Sequence, residues 1–73
     1  MLKARDMQIG EIYQNWCGEW RMLLAILDYE NPYVMSKYVK GGVNGKENGE
    51  FQADRCFPIS ELNSLNYKLV TIV

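Results

Sequence analysis

Six consecutive apolar residues, Met22-Leu23-Leu24-Ala25-Ile26-Leu27, stand between charged Arg21 and Asp28 and form the longest apolar run in the chain. Such a run leaves no side free to meet water, so the rest of the chain has to cover it. As a strand it presents Trp20, Met22, Leu24 and Ile26 on one side and Leu23, Ala25 and Leu27 on the other, which suits the centre of a small curled sheet. As a helix it is apolar all round and demands burial from every direction. Intrinsic propensity favours the helix, because Met, Leu, Ala, Glu and Arg rank high and only Ile26 is β-branched. Length and neighbours favour the strand. Residues 19–28 make a short helix, no Ser, Thr, Asp or Asn caps its start, and the flanking segments read as extended. The expectation is a central strand.

Around it the chain divides into short pieces. Residues 1–7 carry three charges and little pattern, and are expected to form a flexible N-terminal arm; residues 8–73 form the single domain. Gly10 precedes a short strand in which Ile12 and Tyr13 point to opposite sides, and Asn15-Trp16-Cys17-Gly18 supplies turn chemistry for a hairpin into the central strand. Pro32 turns the chain after Asp28, and residues 33–39 give a third strand with Val34, Ser36 and Tyr38 on one side. Residues 40–50 hold four of the six glycines and read as a long loop or hairpin tip. It is not a phosphate cradle, because three residues rather than four separate Gly41 from Gly45-Lys46, and Glu47 follows where Ser or Thr is required. Residues 51–57 are expected as a fourth strand with Phe51, Ala53 and Phe57 inward. Pro58 then opens a short 3₁₀ turn that aims Ile59 and Leu62 at the core, and residues 67–73 close the sheet.

Five strands, a long loop between the third and fourth, and one helical turn before the last predict a mainly β protein built as a small SH3-like barrel. Gly10-Glu11-Ile12-Tyr13 and the hairpin beginning Gly18-Glu19-Trp20 and running into Leu23-Leu24-Ala25-Ile26 resemble a loosely defined group of small, mostly uncharacterised bacterial and phage proteins of that fold. The likeness covers residues 8–62 and brings no catalytic residues with it. The glycine-rich loop is longer than in the compact members of that group.

The totals narrow the chemistry. Eight basic and nine acidic residues give a net charge of -1, so no overall field draws nucleic acid or an anionic membrane, although a local basic patch is compatible with that sum. There is no histidine, which removes the commonest general base near neutral pH. Cys17 and Cys56 lack metal-site spacing, so no metal or cofactor is expected; they read as reduced thiols, with a disulfide as the alternative. The segment 1–6 lacks the apolar stretch of a signal peptide and no run reaches membrane-spanning length, which makes the cytoplasm the expected location.

The chain is therefore expected to bind rather than catalyse. Aromatic residues beside turns are the candidate anchors for a protein partner: Trp16, Tyr29 and Tyr33, with Glu30 nearby. The expected role is a non-catalytic protein-binding module, in the phage setting a modulator of a host protein. A nucleic-acid alternative uses Tyr33 or Tyr38 for stacking and Lys37, Lys40, Lys46 and Arg55 for phosphates. A structural alternative is a homo-oligomer that pairs the apolar C-terminal strand with another copy.

Overall fold

The computed structural model describes residues 1–28, 30–42 and 53–70. Tyr29, the segment 43–52 with Lys46 and Phe51, and residues 71–73 lie outside the described residues. The strands are β1 (Ile12–Gln14), β2 (Trp20–Ile26), β3 (Tyr33–Lys40), β4 (Arg55–Pro58) and β5 (Lys68–Leu69). They form one antiparallel sheet in the order β4-β3-β2-β1-β5, with β2 at its centre. The apolar run is thus a strand, and its competing helical propensity loses to partners on both edges.

The sheet is open. Among the described residues β4 pairs only with β3 and β5 only with β1, and no ladder joins β4 to β5, so the expected closed barrel is corrected to an open sheet. The outer strands explain this physically: four residues in β4 and two in β5 offer few backbone groups with which to complete a ring.

The faces of β2 also differ from the expected alternation. Leu23 lies opposite Ser36 and Ala25 opposite Met35, so Leu24 is an extra residue that shifts the register. After this bulge the parity flips, and Ile26 joins Leu23 on the inner side, opposite Val34. Expected neighbours Trp20, Met22, Leu24 and Ile26 are therefore not on one face. In β3 the expected face of Val34, Ser36 and Tyr38 is the inner one, with Val34 and Ser36 buried.

Two helical pieces cover that inner face. A 3₁₀ turn at Ala4–Asp6 brings Ala4 and Met7, three residues apart, into one cluster with Tyr13, Leu23, Val34 and Phe57. Leu2 donates its amide N–H to Asn63 Oδ1 at 2.7 Å, and Asn63 Nδ2 donates back to the Leu2 carbonyl at 3.1 Å. Residues 1–7 are consequently packed and tied rather than a loose arm, because Ala4 and Met7 carry apolar surface that the sheet accepts.

The second piece is α1 (Ile59–Ser64), a six-residue α-helix where a single 3₁₀ turn was expected. Pro58 at its N-cap has φ −66°, and Ile59 and Leu62 are buried as the three-residue spacing predicts. The spacing suits either helix type; the bond from Leu65 N–H to the Glu61 carbonyl at 3.0 Å makes it α. It ends at Asn66, whose φ of 58° lets Tyr67 N–H reach back to the Leu62 carbonyl. No helix among the described residues is long and apolar enough to cross a membrane.

Candidate functional site

The β1–β2 connection is organised by one side chain. Asn15 Oδ1 accepts the amide N–H groups of Cys17 at 3.0 Å and Glu19 at 2.9 Å, while the Asn15 backbone N–H donates to the Glu19 carbonyl at 3.0 Å. Gly18 supplies the left-handed residue that this tight loop needs, at φ 84°. With its tips consumed internally, the loop thrusts Trp16 outward, 72% exposed. The Trp16 N–H leans on the Leu65 carbonyl at 3.5 Å, linking the loop to the end of α1.

Beneath the loop lies a buried charge network. Arg21 Nε donates to Glu19 Oε2 at 2.8 Å, and the Tyr67 hydroxyl donates to the same oxygen at 2.6 Å. Arg21 Nη1 also reaches Ser36 Oγ at 3.4 Å and the Ala53 carbonyl at 3.3 Å, and its guanidinium stands 5.4 Å from the centre of the Phe57 ring. Asn15 Nδ2 completes the set with a bond to the Tyr67 hydroxyl at 3.4 Å. Burial, and then the bond to Glu19, pushes the Tyr67 hydroxyl well above the ordinary tyrosine pKa. Among the described residues no buried side-chain polar atom lacks a partner. Such a network contributes little net stability against an apolar substitute, but it fixes one geometry because each member is expensive to leave unpaired.

The loop, β4 and α1 together enclose a groove of about 330 Å³. It is lined by Trp16 and Cys17 of the loop, Phe57 of β4, Glu61 of α1, and Leu65 and Tyr67 after it. Arg55 also lines it, with its guanidinium 5.3 Å from the Phe57 ring centre. The groove thus offers aromatic and apolar surface beside the charged side chains of Arg55, Glu19 and Glu61. No group of three or more His, Cys, Asp and Glu side chains among the described residues is placed to hold a metal ion. Cys17 and Cys56 are free thiols; Cys17 lines the groove and Cys56 is exposed on β4, so the disulfide alternative does not form.

The expected partner-binding residues are not all brought together. Trp16 is at the groove, whereas Glu30 and Tyr33 lie at the other end of β2, about 20 Å away along seven residues of strand. Tyr29 is outside the described residues. The basic set is also split. Lys37 and Lys40 lie on the outer face, with the Lys40 ammonium 4.1 Å from the centre of the Trp20 ring, while Arg55 is at the groove and Lys46 is outside the described residues. Tyr38 is turned inward and donates its hydroxyl to the Gly41 carbonyl at 2.8 Å, which removes it as an open stacking platform.

Sequence reasoning missed Glu19, Arg21, Phe57, Glu61, Leu65 and Tyr67 as parts of this site. One signal was present: Glu19 and Arg21, two apart around Trp20, share a side in any extended chain. No protein-family model, no curated protein and no solved structure matches this chain.

Proposed function

We propose that this protein is a non-catalytic protein-binding module that seats its partner on Trp16 and the groove between the β1–β2 loop and α1. The observation that carries the reading is Trp16 itself: a large ring, 72% exposed, held at a groove wall by a loop whose polar groups are satisfied internally. Rigid aromatic anchors of this kind supply much of the energy at protein interfaces, because they bury a large area while losing little rotamer freedom. The proposal extends to an SH3-like architecture, supported by a last strand that returns beside β1 after a helical segment. The resemblance to phage proteins of that fold makes a bacterial host protein the partner class to test first.

The experiment is affinity capture from bacterial lysate with the wild type and with Trp16→Ala, each checked for folding by circular dichroism. A protein retained by the wild type and lost with Trp16→Ala supports the reading. Empty capture, or equal retention by both, overturns it.

A further inference from the structure

Four of the six glycines fall within residues 40–50, and the two that the structure describes, Gly41 and Gly42, lie against the loop that carries Trp16. The register explains the meeting. Lys40, the last residue of β3, stands opposite Trp20, so the chain that follows runs past Glu19 and Gly18, the two residues before Trp20. There the two backbones come close enough to exclude a side chain. A Cβ on Gly41 would fall inside the contact distance of the Gly18 carbonyl oxygen and 3.2 Å from its carbonyl carbon, and a Cβ on Gly42 would stand 2.9 Å from Glu19 Cβ and 3.3 Å from its Cα.

The approach is held from both sides. The Tyr38 hydroxyl donates to the Gly41 carbonyl at 2.8 Å, which ties Gly41 back to β3. On the loop side Asn15 Oδ1 accepts the Glu19 amide N–H, and the Glu19 carboxylate accepts from Arg21 and Tyr67. Turning the chain after β3 does not by itself call for this contact. Gly10 has the same left-handed backbone, φ 92° against 76° at Gly41, and a Cβ on it would meet nothing within 4 Å.

We propose that Gly41 and Gly42 are positioning residues: their backbone clasps Gly18 and Glu19 and so sets where the loop holds Trp16 at the groove. With the Leu65 carbonyl taking the Trp16 amide N–H, the loop is pinned between the end of β3 and the end of α1. A side chain at position 41 has no soft neighbour to displace, because the atoms it meets are backbone, so the loop has to move away. A side chain at position 42 presses on the stem of Glu19 and draws its carboxylate off Arg21 and Tyr67. The consequence for a partner rests on the reading of Trp16 as its anchor; the clasp itself does not.

The test uses the full chain carrying Cys56→Ser, in which half-buried Cys17 of the same loop is the one remaining thiol, and follows its reaction with dithionitrobenzoate in the absence of urea. Gly41→Ala is expected to speed the reaction about fivefold, because the displaced loop bares the thiol, whereas Gly10→Ala lowers the urea midpoint but leaves the rate within about 1.5-fold. Tyr38→Phe loses only the hydroxyl that ties down Gly41 and is expected to speed the reaction about threefold, which keeps the test sound if Gly41→Ala fails to fold. Equal rates in Gly41→Ala and Gly10→Ala, or a wild-type rate in Tyr38→Phe, overturn the proposal, and the glycines then serve only to turn the chain. In affinity capture Gly41→Ala is expected to lose the partner that Gly10→Ala keeps. Full retention by a Gly41→Ala chain whose thiol rate has risen overturns the positioning role, while empty capture by the wild type removes the binding reading and leaves the thiol rates to decide the clasp.

Discussion

On the inner face of β2, Arg21 is only 2% exposed and spends its donors on Glu19, Ser36 and Ala53. On the outer face, the very next residue, Met22, is only half-buried, between Ile12 and Lys37. Hydropathy alone orders these two the other way. The difference teaches that sidedness in a small sheet is set by where the covering pieces are available, namely α1 and the turn at Ala4–Asp6, and that a charge is admitted to the covered side when partners meet every donor.

The sharpest way to break the comparison is to remove the charge from the covered side. Arg21→Met strands Glu19 in a dry site and is expected to cost about 3–5 kcal/mol in urea denaturation, enough to unfold most of a domain of this size. Glu19→Gln combined with Arg21→Met is expected to recover at least half of that loss. A single-variant cost below about 1 kcal/mol removes the network from any structural role.

Next in size is a truncation on either side of the same strand. Leu23→Ala is expected to cost about 3 kcal/mol, and Met22→Ala less than about 1 kcal/mol. Equal losses mean that the outer face is covered as well as the inner one.

A third measurement uses pH. Tyr13 and Tyr67 both face inward, and burial, followed by bonds to Glu11 and Glu19 respectively, raises both hydroxyls above the ordinary value near 10. Above that value the unfolded chain releases protons that the folded chain retains, so stability is level below about pH 10 and falls as pH rises further. Urea midpoints between pH 8 and 11.5 are expected to show this fall, with a shallower one in Tyr67→Phe. The smallest effect belongs to the groove wall: Trp16→Ala is expected to change stability by no more than about 0.5 kcal/mol while abolishing partner capture.

The elements that were legible in the sequence are those specified by neighbours along the chain. Asn15 and Gly18 shape the first hairpin, Asp28 and Pro32 turn the second, and β-rich residues 33–39 fill β3. What was illegible depends on residues far apart. Arg21 reads as a solvated flank until Tyr67 and Ala53 close around it, and the bulge at Leu24 is a property of the β2–β3 register rather than of either strand. Trp16 was identifiable as an exposed ring because it adjoins a turn. Its groove was not, since Phe57, Leu65 and Tyr67 arrive from the other end of the chain. Glu30 and Tyr33 were grouped with Trp16 because all three flank turns, and proximity to a turn does not say at which end of β2 that turn lies.

The paired hydrogen bonds between the amide groups of Leu2 and Asn63 span 61 positions. At about 5–20 residues per second, a ribosome takes roughly 3–12 s to deliver the second of these partners after the first. Throughout that interval Ala4 and Met7 have no α1 to pack with, so the docking of the first residues waits on the last part of the chain to be made.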